Sequence, residues 1–407
     1  MMATNTAQTF KAFREQYQGT KNWVYMDASA RGLLSNGVRN ALAEYVDHRA
    51  NNGGDKDWMF SMAELSRQRF ASLIGADVDE VSLTKNVTEG INAFAFSLPW
   101  REGDNVVVCP DIEHPANIFP WYHLARQKGI EVKAISAENG RVPLEKLAAA
   151  IDHRTRVVTV SAVSFAPGFR APLRELSKLC RAKNALLLVD AAQTVGVLHT
   201  DVDDLGIDGL AVATQKGLLG LYGMGFLYVR KEVAESMKPV YISRMGIQLA
   251  EAHEAAVGDP SAFTFAKGAR RFDLGNFNFI GAVAVAQSIS ELEAVGSINI
   301  EQYVTSLAQR LATGIAELGL PVFGGAEAKD RAHIVSIGSA IGDGHDSTDD
   351  AVLSGLSAAL LNNNVRHTIR RGFVRLSLHA YNNDDDVDQV VAISRDFVKS
   401  RKVAERV

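Results

Sequence analysis

The stretch from Leu186 to Arg230, LLLVDAAQTVGVLHTDVDDLGIDGLAVATQKGLLGLYGMGFLYVR, decides the fold. Leu186 to Val189 is an apolar run of strand length that ends in Asp190. A second run, Gly209 to Ala213, ends in Thr214, Gln215 and Lys216, and a glycine-rich turn then leads into Phe226 to Val229. Short unbroken apolar runs bounded by polar and glycine residues read as strands buried on both faces. The pattern therefore sets an acid, a glutamine (Gln193) and a lysine at or just past strand ends, where groups are held rigidly yet remain reachable in an open α/β sheet.

Taken singly, each residue has a plain explanation. An Asp at a strand end commonly caps the next turn, and a Lys before Gly is usually solvated. Together they describe chemistry. A lysine that must attack a carbonyl has to shed its proton near neutral pH, which partial burial promotes. An acid ending the neighbouring strand can hold a positive charge on a bound heterocycle. The set reads as a pyridoxal phosphate site, with Lys216 forming the Schiff base and Asp190 pairing with the pyridine nitrogen.

Upstream, a polar helix over 6–18 is expected, then a strand at Trp23–Met26, the small turn Asp27-Ala28-Ser29-Ala30-Arg31-Gly32, and helices near 38–50 and 59–73. The strand Glu80–Thr84 passes through Lys85-Asn86 into a helix opened by Val87 and Thr88. Such a junction presents free N–H groups and the positive end of a helix dipole to an anion, although Thr88 also suits a capping role. Asn105–Cys109 reads as a strand running on to His114; a lone histidine there is more often structural than catalytic. Val157–Val163 is another buried strand, and Leu173–Ala182 a helix. Alternation from about Thr84 to Arg230 predicts a mostly parallel sheet with helices on both faces. No Gly-x-Gly-x-x-Gly follows the early strands, which disfavours a nicotinamide site.

From about Ile280 the pattern changes to long helical runs through Val295 and over 300–318, a polar insert at Gly342–Asp350 and a helix over 349–362. The segment from Val365 to Asn382 follows, VRHTIRRGFVRLSLHAYN. Arg375 alternates with apolar neighbours, and its planar fork matches a carboxylate. Arg366, His367, Arg370 and Arg371 read either as recognition of a second acidic group or as a solvated basic loop. The acid run Asp384-Asp385-Asp386 caps or begins a helix.

The 407 residues call for a large and a smaller domain, placed at 20–280 and at 1–19 with 281–407. A net charge of -4 with no basic stripe argues against nucleic acid. The two cysteines, Cys109 and Cys180, form no disulfide framework and have no metal-ligand spacing, so no metal is expected. The start of the chain lacks the apolar core of a signal peptide, and no later run has the length to span a bilayer. A soluble, cytoplasmic protein without a membrane partner is the expectation.

The sequence VDAAQ…DGLAVATQKGLLG…GFLYVR resembles the core of the class V aminotransferases, the fold-type I pyridoxal phosphate enzymes that include cysteine desulfurases, isopenicillin N epimerase and kynureninase. The likeness runs from about Tyr25 to about Asn382. It implies an aspartate aminotransferase-like α/β fold: a mostly parallel seven-stranded sheet in the large domain and a smaller α+β C-terminal domain. It also implies roles. Val87, Thr88, Thr214 and Gln215 would hold the cofactor phosphate, and Gln193 its phenolic oxygen. IEHPANIFPW is similar to the segment whose histidine stacks on the pyridine ring, so His114 would stack there and serve as acid or base. Ala28, Ser29 and Arg31 would lie near the carboxylate of a small amino acid substrate, and Arg375 would anchor it. RRFDLGNFN resembles a Gly-Thr-Pro-Asn turn, which implies a homodimer in which Asn276 completes the partner's phosphate site.

Three departures bear on the reaction. Phe165 stands where relatives commonly have an asparagine, and Ala213 and Gln215 where the desulfurase branch has serine and histidine. No cysteine follows Cys180, so transfer of sulfur to a protein persulfide lacks its nucleophile. The expectation is amino transfer or a closely related β-elimination, a C–S lyase reaction. Epimerisation of the isopenicillin N epimerase type, or a pyridoxal phosphate-binding relative without chemistry, are the alternatives.

Overall fold

The structure is a computed structural model, and it describes residues 2–248, 263–342 and 344–404. The apolar runs of the sequence become a seven-stranded sheet in the order Val81–Thr84, Gly225–Val229, Gly209–Ala213, Leu186–Asp190, Thr155–Ser161, Asn105–Val108 and Glu131–Ala134. Gly225–Val229 runs antiparallel to both of its neighbours, and the remaining strands are parallel. The central strands are largely buried on both faces, as an unbroken apolar run requires, and the edge strand Glu131–Ala134 is the most open to solvent.

Helices begin where side chains satisfy their first N–H groups. Ser35, Asp55 and Asn86 accept from the backbone of Val38, Trp58 and Glu89, opening the helices Asn36–Asn52, Lys56–Ile74 and Val87–Ser97. Gly53 and Gly75, both left-handed, close the first two. Phe279–Val295 packs against those two helices and is mostly buried; Gly296 then turns the chain into Ser297–Glu317 at 79°. This bent pair is apolar enough together, but no single described helix is long and apolar enough to cross a membrane.

The C-terminal part builds a three-stranded antiparallel sheet, Ile334–Ile337, Phe373–Ser377 and Thr368–Arg370, with the helices Ala351–Asn362 and Asp384–Ala404 packed against each other. The acid run from Asp384 to Asp386 stands in the first turn of the last helix, where negative charge meets the positive end of the dipole. Near the start of the chain, Val24–Tyr25 pairs in parallel with Val365–Arg366, and Asp27 bridges to Ser377. The turn after this pairing is thereby carried by the C-terminal sheet to the carboxyl ends of the central strands.

Candidate active site

A cavity of about 500 Å³ opens at those strand ends. Its wall gathers most of the residues singled out in the sequence: Ser29, Arg31, Val87, Thr88, His114, Phe165, Asp190, Gln193, Gln215, Lys216 and Arg375. Ala28 and Thr214 are not on it. Thr214 opens the turn that follows the strand Gly209–Ala213, and its hydroxyl donates to the carbonyls of Leu221 (2.6 Å) and Met224 (3.2 Å), which close that turn, while Ala213 and Gln215 line the cavity. Thr214 therefore does not supply the hydroxyl missing at Ala213. Ala28 is buried behind the wall, with its N–H on the carbonyl of Ser377. Asn276 is exposed on a turn away from this cavity.

Two loops place the lysine. The turn after Asp190 and the turn after Lys216 approach each other backbone to backbone: a Cβ on Gly217 would lie 2.5 Å from the carbonyl oxygen of Val195, and one on Gly196 would lie 2.2 Å from that of Gly217. Only glycine permits this approach. His379 then donates from Nε2 to the carbonyl of Gly217 at 2.9 Å while its Nδ1 accepts the N–H of Ala380, which fixes its tautomer. The lysine is thus held from the sheet on one side and from the C-terminal domain on the other.

Burial pushes the Lys216 amine down to about 8, helped by the charges of Arg375 and Arg370 and opposed by Asp190. Burial raises the carboxyl of Asp190, against which the Ala192 N–H on Oδ1 (2.9 Å) and the charge of Lys216 both act. His114 sits at the rim with its ring edge-on to Phe165, centroids 5.5 Å apart; its Nδ1 accepts the Ala116 N–H, and desolvation, Lys216 and His345 lower its pKa.

Arg375 is 2% exposed. It donates from Nη1 to the carbonyl of Phe165 (2.8 Å) and from Nη2 to Thr368 Oγ1 (3.1 Å), with Asp27 Oδ1 at 3.8 Å. Its Nε is buried without a hydrogen-bond partner among the described residues. Gln193 donates from Nε2 to the carbonyl of Ser29 at 3.1 Å, which ties the loop after Asp190 to the N-terminal turn, and its Oε1 is likewise buried and unpartnered. Buried polar atoms of this kind are costly unless a ligand completes them.

Other wall residues carried no sequence signal that singled them out. Asn86 caps the helix Val87–Ser97, Ser161 ends the strand beside Asp190, Tyr222 comes from the glycine-rich turn, and His345 from the polar insert. Beneath Ser161 lies Glu113, which accepts the Ser161 N–H (2.6 Å), the Ser161 hydroxyl (2.5 Å) and an Asn117 amide hydrogen (2.9 Å); burial raises its carboxyl to about 7. The four basic residues near 370 separate. Arg366 lies over the ring of Trp23, His367 is buried against Ser357 and Val365, Arg371 turns to the carbonyl of Asp111, and Arg370 enters the cavity. They form no common solvated loop.

The residues present fit pyridoxal phosphate. A buried carboxylate, an amine of lowered pKa and a buried unpartnered amide oxygen stand around one cavity. The first N–H groups of the helix at Val87 and Thr88, which precede its own hydrogen-bond ladder, form an anion cradle at its edge. No cluster of metal-ligating side chains occurs among the described residues.

Residues 24–390 match the model of the family described as Aminotransferase class-V. A probable cysteine desulfurase of Pyrococcus abyssi is 31% identical over 401 residues, covering 95% of this chain and 97% of that protein. An uncharacterized aminotransferase of Bacillus subtilis is 28% identical over 93% of this chain and 97% of its own length. The apo structure of a cysteine desulfurase from Thermococcus onnurineus superposes with a TM-score of 0.81 at 26% identity, covering 96% of this chain and 98% of that one. The seven-stranded sheet and the small C-terminal domain agree with that likeness. The chain belongs to the class V aminotransferase family, a family of enzymes that work with pyridoxal phosphate.

Proposed function

We propose that the protein acts on a small α-amino acid by removing its α-proton through Lys216, and that the reaction ends in amino transfer or a closely related β-lyase step rather than in persulfide transfer. The observation that carries this reading is the meeting of Lys216, Asp190 and Arg375 in one cavity. Bound pyridoxal phosphate supplies an electron sink for the bonds of the α-carbon. Asp190 would hold the positive charge of the ring nitrogen, Gln193 would meet the phenolic oxygen, and Val87, Thr88 and Gln215 would hold the phosphate.

Arg375, whose guanidinium reaches the cavity wall, orients the α-carboxylate. Lys216 accepts the α-proton at Nζ, a task suited to an amine whose pKa lies near 8. His114, at the cavity rim, would cover the ring. Asn276 completes the phosphate site of a second copy, so a homodimer is part of the proposal. Against persulfide transfer stands the absence of any cysteine after Cys180, with both cysteines buried.

Borohydride treatment of the loaded protein should fix the cofactor to Lys216, and Lys216→Ala should abolish both this adduct and, by about 10³-fold or more, turnover. Product analysis then divides the outcomes. A new amino acid from a keto acid acceptor marks amino transfer; pyruvate, ammonia and sulfide from cysteine mark the lyase. Loss of optical rotation alone would show an epimerase, and a colourless folded protein without adduct would end the reading.

A further inference from the structure

The hairpin Thr368–Arg370/Phe373–Ser377 turns through Arg371 and Gly372, both with positive φ (50° and 79°), the geometry of a tight two-residue turn. Thr368 lies opposite Arg375. Residues directly opposite, and those two apart on one strand, leave the same face, so Thr368, Arg370 and Arg375 point one way. Both arginines indeed line the cavity. As diagonal neighbours on adjacent strands they stand roughly 7–8 Å apart at the backbone.

The charges of the wall do not balance. On the wall itself Arg31, Lys216, Arg370 and Arg375 meet a single carboxylate, Asp190, which the cofactor ring would claim, and the one acid close behind the wall, Asp27, pairs with Arg375. The phosphate has its own cradle at Val87 and Thr88. Once the α-carboxylate lies on Arg375, the one acid in direct contact with Arg370 is Asp346 of the polar insert, whose side chain is 68% exposed; buried Asp27, which also feels the charge of Arg370, is held by Arg375 and Thr368. A partner so exposed contributes little and is readily replaced. His345, next to Asp346, pairs through its backbone with Arg370 and also lines the cavity, so the insert holds Arg370 over the substrate.

We infer that Arg370 is a specificity residue that binds a second acidic group, so that the substrate is an α-amino acid whose short side chain ends in a carboxylate or a similarly shaped sulfinate. This rests on the proposed amino acid chemistry at Lys216 and names its substrate class. Two planar forks on one face of a rigid hairpin match two acid groups joined by two or three carbons.

The test is a titration of the loaded protein with L-aspartate, L-glutamate, L-cysteine sulfinate, L-asparagine and L-norvaline, read as the change in cofactor absorption on binding rather than as turnover. At least one acid should bind about 10–100-fold more tightly than its neutral counterpart, the range of a charge-assisted two-point bond. Arg370→Gln should erase that preference while leaving asparagine and norvaline within about 3-fold, and Asp346→Ala, which folds independently of any fault in the first variant, should strengthen acid binding. Equal binding of aspartate and asparagine, of glutamate and norvaline and of the sulfinate overturns the inference, as does a variant that weakens acids and neutrals alike. If no amino acid alters the absorption and borohydride fixes no cofactor, the proposal at Lys216 has failed as well; neutral binding with no advantage for acids removes this inference alone.

Discussion

Arg375 donates from Nη1 to the main-chain carbonyl of Phe165 at 2.8 Å, so the arginine is aimed by the backbone of a residue whose side chain departs from the family pattern. Exchanging the Phe165 side chain leaves this bond in place. Replacing the arginine does not. Arg375→Ala would strand Asp27, which is 1% exposed, and removing one partner of a buried pair costs about 3–5 kcal/mol. Arg375→Lys keeps a charge near Asp27 but loses the fork; it should unfold closer to the unaltered protein in denaturant while its KM for amino acids rises about 10–100-fold. Equal stability of the two variants would contradict the role given to Asp27.

Lys216 predicts a pH dependence with a defined sign. Only the unprotonated amine captures the cofactor aldehyde, so the rate of capture by cofactor-free protein should rise with pH and level off above about 8. The surrounding charges can be tested in opposite directions. Arg375→Gln removes a charge that lowers the amine's pKa and should move the inflection up; Asp190→Asn removes one that raises it and should move the inflection down. Stopped-flow absorbance reads both, and an inflection near the ordinary lysine value would refute the account.

The close approach of the two loops makes Gly217 a sensitive position. A methyl group there would press on the carbonyl of Val195 and the side chain of Val197. Gly217→Ala should cost about 1–3 kcal/mol as an overpacked site and reduce the fraction of protein that retains cofactor, measured as absorbance per chain after gel filtration. Gly53→Ala, where a Cβ meets nothing within 4 Å, is the comparison and should leave cofactor retention unchanged.

His333 and His379 sit fully buried behind the cavity, and burial holds their pKa values down to about 3 and about 4. Both are depressed relative to an unfolded value of about 6.5, so their contribution is complete above that pH and is lost as pH falls toward 4 and then 3. Each adds a slope of roughly 1.4 kcal/mol per pH unit over that window. Unfolding free energies measured between pH 7 and 4 should fall accordingly, and His379→Leu should flatten the slope. A stability independent of pH in this range would refute the assignment.

The strands that carry Asp190 and Lys216 were legible because a strand buried on both faces leaves an unbroken apolar run. Glu131–Ala134 and Thr368–Arg370 were not: an edge strand and a hairpin strand keep charged residues in extended backbone, and neither has an apolar run to mark it. Thr214 illustrates a different limit. Its hydroxyl is of the right type at nearly the right position, but the strand ends one residue before it, and the turn it opens draws the hydroxyl to the carbonyls of Leu221 and Met224. His345 and Tyr222 reach the cavity from an insert and a turn whose paths no periodicity dictates. The division of the basic residues near 370 likewise became visible only with the pairing of Thr368 to Arg375.

The parallel pairing of Val24–Tyr25 with Val365–Arg366 sets an order of manufacture. A chain leaving the ribosome has made the lysine and the whole central sheet long before the strand that its own beginning must grip. Until that late strand emerges, the opening segment lacks its strand partner, and the bonds of Gln193 to the Ser29 carbonyl and of the Gly32 N–H to Gln215 tie it to the central sheet. The newborn chain thus has Lys216 before it has Arg370 and Arg375, and the cavity wall is the last part it completes.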